Sequence, residues 1–287
     1  MYLAHLDGRL VLVSPDTLRA VDVERLSGGR FGPDPMTAYA DWDAFRAFVA
    51  TADIGAAPAV PLDQDRLGPP VPAPRQVFAI GLNYRDHAAE GGAEIPSEPM
   101  VFTKFPACLA GPRGTVVLPP GGNVDWEVEL VAVIGREAYQ VARADAWSYV
   151  AGLTVGQDIS ERITQLAGTP PQFSLGKSFP GFGPIGPWVV PVDAFGHGID
   201  PGDLELACAV NGEEVQKGRT RDLVFDVPEL VHRVSQITPM YPGDLVFTGT
   251  PAGVGLARTP QRWLVDGDEL VSSIEGIGEL RQRFVTA

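Results

Sequence analysis

Short apolar runs separated by Gly, Pro, Asn and Asp clusters dominate the hydrophobic pattern of this chain. Runs of strand length and composition recur at "VFAIGL" (77–82), "TVVLPP" (115–120), "YVAGLTV" (149–155), "WVVPV" (188–192), "LELACAVNGEEV" (204–215), "DLVFTGT" (244–250) and "DELVSSIEGIGEL" (268–280). Pro-Gly-Asp at 242–244 and Asp-Gly-Asp at 266–268 supply the turns that precede two of them. From Val77 onward, helical periodicity is confined to short patches at Arg85–Glu90, Asp145–Tyr149 and Val227–Ile237. In the last, Val227, Leu230, Val231 and Val234 form one apolar stripe. The first 60 residues predict a strand around Leu10–Val13 and a helix near Asp41–Ala50, with Trp42, Phe45 and Phe48 at helix spacing. Between Pro61 and Gln76 five prolines forbid helix and remove ladder donors, which marks a boundary. The pattern predicts a mainly β (α+β) protein: a small N-terminal domain with its Pro-rich linker over 1–70, and a larger strand-rich domain over 71–287.

The segment Val124–Gly135, "VDWEVELVAVIG", breaks the simple pattern. Asp125, Glu127 and Glu129 fall on every second residue, so a continuous strand would put all three on one face, with neighbours about 6.6–6.8 Å apart. A solvated strand face accommodates such a row. The apolar run Leu130–Ile134 that follows instead implies burial on both faces, which puts the acids at the mouth of a buried strand. Buried carboxylates repel one another and are costly to desolvate unless a cation neutralises them. An all-oxygen set suits a hard ion, Mg²⁺, Mn²⁺ or Ca²⁺, better than structural zinc. Asp158, at the end of the next apolar stretch in "VGQDISERITQ", is placed to join the set or to cap a helix.

Composition narrows the function classes. A formal net charge of −14 argues against nucleic acid, whose phosphates need clustered Lys and Arg. It also means that an anionic ligand requires a local reversal of the field, by a metal ion or a placed cation. No apolar run approaches the roughly 20 residues that span a bilayer, and the N-terminus lacks a basic-then-apolar leader pattern, so the expected location is the cytoplasm. Cys108 and Cys208, far apart, read as two reduced structural thiols. The glycine-rich "TGTPAGVG" lacks the G-x-x-x-x-G-K-[ST] phosphate loop, and no G-x-S-x-G elbow is present. His5, His197 and His232 stand in no chemical frame and read as structural or surface residues.

Six motifs in order resemble the fumarylacetoacetate hydrolase superfamily: "GLNYRDHAAE" (81–90), "DWEVELVAVIG" (125–135), "QDISERITQ" (157–165), "GKSFPGFGPIGP" (176–187), "VNGEEVQKG" (210–218) and "PGDLVFTGTPAGVG" (242–255). The resemblance runs from about Val77 to the C-terminus, and the short N-terminal segment is similar to the shorter members. It implies a mixed β-roll built around a β-sandwich-like barrel, a homodimer, and Mg²⁺ or Mn²⁺ (Ca²⁺ as the other hard ion) held by Glu127, Glu129 and Asp158. Asp125 matches an acid outside the ligand set. Lys177 matches a lysine beside the metal that contacts substrate, and His87 with Glu90 match a pair that activates water in hydrolytic members. Thr250 matches a substrate-pocket position, and Arg162 and Gln165 fall where the family keeps an Arg and a Gln near the substrate-binding pocket or its supports. Pro180 departs from the family, which commonly has Asp after "KSF". On a helix His87 and Glu90 share a face, with Asn83 as the expected cap.

The implied substrate is a small 2-oxo or β-diketo acid, with neither nucleic acid nor membrane as partner. The implied reaction is hydrolysis of a C–C bond in an acylpyruvate-, fumarylpyruvate- or fumarylacetoacetate-like acid. The alternative within the same resemblance is a decarboxylase, tautomerase or isomerase of a 2-oxo dioate, of the oxaloacetate or 2-hydroxyhepta-2,4-diene-1,7-dioate type. A sugar-acid dehydratase and a non-catalytic β-rich module with a structural cation are further readings.

Overall fold

A computed structural model describes residues 1–14, 19–195 and 199–286. The strand Val128–Ile134 lies in the middle of a twelve-stranded mixed sheet. On one side it pairs antiparallel with Val150–Gln157, which pairs with Gly183–Pro191. On the other it pairs antiparallel with Leu245–Phe247, which runs parallel to Val77–Gly81; Met100–Thr103 then forms the outer edge. A five-stranded sheet, Glu213–Arg219, Glu205–Val210, Glu269–Ile274, Gly278–Thr286 and Arg113–Leu118, packs against it. The fold is therefore mostly β, of the two-sheet kind the sequence implies.

Alternation along Val128–Ile134 explains its continuous hydrophobicity. Val128, Leu130, Ala132 and Ile134 join a core shared with Leu206, Val210, Leu270, Leu280 and Phe284 of the smaller sheet. Val131 and Val133 face a second core with Phe247, Trp42 and Phe45. Neither face meets water, and Glu129, at the strand's second position, is its one polar side chain. Gly156 keeps the neighbouring strand close: a Cβ there would meet Val131 Cγ2 at 2.4 Å and Phe247 Cε1 at 2.8 Å.

The N-terminal segment continues this sheet. Tyr2–Leu6 pairs with Gly183–Pro191 through Leu3 and Val189, and Arg9–Val13, Arg19–Asp22 and Ala59–Pro61 follow outward. The helix Trp42–Thr51, capped by the Asp41 side chain, packs Trp42 and Phe45 onto the same second core. The Pro-rich stretch holds no α-helix; its Leu67–Gly68 pairs with Tyr2–Leu6, the strand that joins the N-terminal segment to Gly183–Pro191.

Several local expectations change in detail. The stretch 204–215 is a hairpin, turning at Asn211 and Gly212 with φ of 53° and 81°, both in the left-handed region that two-residue hairpin turns require. Likewise 268–280 folds back on itself as Glu269–Ile274 and Gly278–Thr286. Arg85–Glu90 and Val227–Ser235 are α-helical, whereas Arg143–Tyr149 is a 3-10 helix.

Asn83 does not cap the first of these helices. Fully buried, it donates to the carbonyls of Phe225 and Thr248 at 2.9 and 2.7 Å and accepts from the Phe225 amide at 2.8 Å. One side chain thus ties three segments around the site. Asn83→Ala leaves a buried donor and two acceptors unpaired and is expected to lower the unfolding free energy by about 2–4 kcal/mol. Urea denaturation checks this; a loss within about 0.5 kcal/mol would show that the bridge contributes nothing.

Candidate active site

The acid cluster is not a continuous strand face. Val124–Asp125 pairs with Ser160–Glu161, the ladder lapses at Trp126 and Glu127, and the central strand begins at Val128. Side-chain oxygens satisfy the backbone donors through the break: Asp125 Oδ1 accepts from the Trp126 amide at 2.9 Å, Gln157 Oε1 from Glu127 at 2.9 Å, and Gln216 Oε1 from Val128 at 3.0 Å. The Asp158 amide donates to the Glu127 carbonyl at 2.9 Å, which brings Asp158 back against the break. Carboxylate oxygens of Glu127, Glu129 and Asp158, all buried, lie within 4.8 Å of one another.

Asp125 is excluded from that group by its own partners. It accepts from the amides of Gly255 at 2.7 Å and Leu256 at 3.0 Å and from Arg162 Nη2 at 2.7 Å. Arg162 also reaches Glu127 at 2.8 Å, and its Nη1 donates to Gln165 Oε1 at 2.8 Å. The ammonium of Lys177 lies 2.7 Å from Glu127 and 2.6 Å from Asp158. Lys104, which the sequence reading missed, is fully buried; its Nζ sits 2.7 Å from Asp158 Oδ1 and donates to the Lys177 carbonyl. That bond holds the lysine loop from beneath. Pro180 is exposed and outside these contacts, so its departure from the family pattern leaves the anchoring of Lys177 intact.

Four buried carboxylates therefore face three cations, Arg162, Lys177 and Lys104. The shortfall falls on Glu129, whose one bonded partner among the described residues is the Gly249 amide, at 2.8 Å. Burial, reinforced by Asp158 and Glu127, pushes its pKa well above the ordinary value of 4.5. Glu127 moves the other way: burial works against ionisation, but Lys177 and Arg162 hold its carboxyl at about 2. Burial disfavours the Lys177 ammonium, yet Asp158 and Glu127 more than compensate and raise its pKa. A carboxylate that lacks a cation partner, within reach of two others, is the donor set a divalent ion completes, so the residues present fit a hard metal.

The helix Arg85–Glu90 carries the remaining site candidates, His87 and Glu90. His87 Nδ1 and Glu90 Oε1 are 2.7 Å apart, and Glu90 Oε2 accepts from the Gly253 amide at 2.8 Å. His87, Glu90, Glu127, Arg162, Gln165, Lys177 and Thr250 all line one cavity of about 630 Å³. Glu129 and Asp158 do not line it, but their carboxylates adjoin that of Glu127, which does. The Thr250 hydroxyl donates to the Val128 carbonyl at 2.9 Å and accepts from Gln216 Nε2 at 2.8 Å, so it braces the floor. The glycine-rich loop uses its amides on carboxylates, Glu129, Glu90 and Asp125, rather than on phosphate. His5 and His232 contact the carbonyls of Pro69 and Val141, outside the cavity; His197 lies outside the described residues.

The two glutamates predict opposite responses to pH in metal-free protein. The Glu127 contribution is present above 4.5 and lost as pH falls toward about 2. A carboxyl that binds its proton more tightly in the fold costs stability as pH rises above 4.5, by up to about 1.4 kcal/mol per pH unit until its folded pKa is reached. Glu129→Gln removes this cost and keeps an acceptor for Gly249. Metal-free Glu129→Gln is expected to be more stable than the wild type at pH 8, with the gap closing below pH 4.5, and to lose stabilisation by added Mn²⁺. Urea titrations across pH check this; a variant no more stable at pH 8 contradicts it.

The chain matches known proteins along most of its length. The family profile for the fumarylacetoacetate (FAA) hydrolase C-terminal domain covers residues 76–285. Human mitochondrial oxaloacetate tautomerase FAHD2A is 40% identical over 255 residues, covering 88% of this chain and 80% of that protein. The crystal structure of an HpcE-like protein from Mycobacterium smegmatis superposes with a TM-score of 0.93 at 52% identity, covering 100% of both chains. Maleylpyruvate hydrolase from Sphingobium sp. SYK-6, solved with manganese(II) and pyruvate, superposes with a TM-score of 0.81 at 31% identity, again over 100% of each chain. Among the described residues no helix is long and apolar enough to cross a membrane. With the profile, the fold and the clustered acids in agreement, the chain belongs to the fumarylacetoacetate hydrolase family of enzymes.

Proposed function

We propose that this protein is a Mg²⁺- or Mn²⁺-dependent hydrolase that cleaves a C–C bond in a β-diketo acid of the acylpyruvate or fumarylpyruvate type. The observation that carries the reading is the cavity itself, where the bonded His87–Glu90 pair lies over the cluster of Glu127, Glu129 and Asp158. These three carboxylates would hold the ion. The manganese- and pyruvate-bound relative supports both the metal class and a 2-oxo acid ligand. When bound, the ion supplies Lewis-acid polarisation of the 2-oxo acid and offsets the negative field of the site.

The chain's own groups do the rest. Glu90 accepts from His87 Nδ1–H, which fixes the tautomer and leaves Nε2 free to take a proton from water. The hydroxide so formed attacks the distal carbonyl carbon. The bond to the methylene carbon breaks, and its electron pair leaves with the pyruvate enolate, which takes up a proton. Lys177 stays charged and balances the negative charge that develops on oxygen. The Gln165 amide NH₂ makes no bond among the described residues and is available to orient the substrate.

A second reading is supported by the oxaloacetate tautomerase relative: enol–keto exchange, decarboxylation or isomerisation of a 2-oxo dioate in the same cavity. There His87 would carry a proton between oxygen and carbon with no water consumed. The working form in either reading is a cytoplasmic homodimer. The outer strand Met100–Thr103, with Met100 and Val101 exposed on an unpaired edge, offers surface for assembly, and the free buried thiols Cys108 and Cys208 suit a reducing compartment.

A panel of acylpyruvates, oxaloacetate and dienedioates with Mg²⁺ or Mn²⁺ tests the reading. Hydrolysis is expected to yield pyruvate and a carboxylic acid, to carry one ¹⁸O from labelled water, and to stop with EDTA. His87→Ala is expected to lower kcat by about 10²–10⁴ with little change in KM. Exchange or decarboxylation without ¹⁸O uptake would favour the second reading, and full activity in metal-free enzyme would exclude both.

A further inference from the structure

Three cations line the cavity, and they are not equally committed. Arg162 and Lys177 are closed onto buried carboxylates at 2.6–2.8 Å. The third is Arg258, which follows the short turn Gly255–Ala257 that ends the glycine-rich loop. Its one carboxylate neighbour among the described residues is Glu213, at 3.9 Å, and that side chain is 61% exposed. Glu213 closes instead on Arg262, at 2.7 Å. A long contact to an exposed acid neutralises little charge.

Arg258 is nevertheless held in place. Its Nη2 donates to the Val215 carbonyl at 3.0 Å, its Nε points to the Gly253 carbonyl at 3.4 Å, and its guanidinium lies 5.8 Å from the Trp126 ring centroid. Trp126 Nε1 donates to the same Gly253 carbonyl at 3.2 Å, and the Gly253 amide donates to Glu90. The arginine is therefore braced by the residue that precedes Glu127 and by the loop that positions Glu90. A guanidinium held in place by carbonyls, with no close carboxylate among the described residues, in a cavity whose floor is acidic serves an anion.

We propose that Arg258 binds the distal carboxylate of a dicarboxylic substrate, so that the cavity selects 2-oxo dioates over 2-oxo acids with an apolar tail. The proposal rests on the reading that a 2-oxo acid sits over the acid cluster, and it adds the chemistry of the substrate's other end. It applies whether the reaction is hydrolysis or tautomerisation, since both leave the tail untouched.

Calorimetric binding to the Mg²⁺-loaded protein tests it with uncleavable pairs matched in length: 2-oxoglutarate against 2-oxopentanoate, and 2-oxoadipate against 2-oxohexanoate. The wild type is expected to bind at least one diacid ten-fold or more tighter than its partner. Arg258→Met, which keeps an unbranched stem over Trp126, is expected to bring each pair within about two-fold, and Arg258→Lys to retain part of the preference. Equal binding of both pairs by the wild type, or a preference that survives in Arg258→Met, overturns the proposal. If no 2-oxo acid binds at all, the proposal falls together with the reading beneath it; if all bind equally, it falls alone.

Discussion

Carboxylates can be buried at the start of a core strand only if something neutralises them, and the architecture around Val128–Ile134 is arranged to meet that condition. Asp125, Glu127, Glu129 and Asp158 are all buried within a few residues of fully apolar positions. Arg162, Lys177 and Lys104 compensate most of the charge. The backbone contributes too, because the amides of Gly249, Gly253 and Gly255 each end on a carboxylate. What is left uncompensated is Glu129. A metal-sized deficit of positive charge, surrounded by fixed donors, is a more specific statement than an acidic patch, because every other member of the cluster already has its partner.

The rigid surroundings give that deficit its chemical use. The acid-bearing segments are the adjoining ends of two paired strands buried on both faces, so the acids cannot spread to relieve their repulsion. The His87–Glu90 helix is tied to the same framework by the Gly253 amide and, one turn earlier, by Asn83. His87, Lys177 and the acid cluster are thus set by sheet register and a few buried hydrogen bonds, which is what a preorganised site requires.

The sequence made the central features legible because they are local. The run Leu130–Ile134 announces a strand buried on both sides, and "RDHAAE" predicts both the helix and the 2.7 Å His87–Glu90 contact. The ordered motifs announced the family. What was not legible depends on contacts far apart in the chain. Lys104 sits in "VFTKFP" and looks like any strand-end lysine; only the 54-residue separation to Asp158, closed in space, reveals it. Asn83 reads as a helix cap, but the cap position falls to Tyr84 and Asn83 serves a 142-residue contact to Phe225 instead. The glycine-rich loop gave no sign that its amides face carboxylates, and the lapse of the ladder at Trp126–Glu127 is invisible to a period-two pattern. The N-terminal strands were legible as strands, but not as a continuation of the main sheet through Leu3 and Val189.

The most direct test of this account is anomalous diffraction at the manganese edge from crystals grown with Mn²⁺. The account predicts one strong peak per chain, with oxygens of Glu127, Glu129 and Asp158 about 2.0–2.6 Å from it. A structure in which the peak is absent, while these carboxylates keep only their lysine, arginine and amide partners, would contradict it.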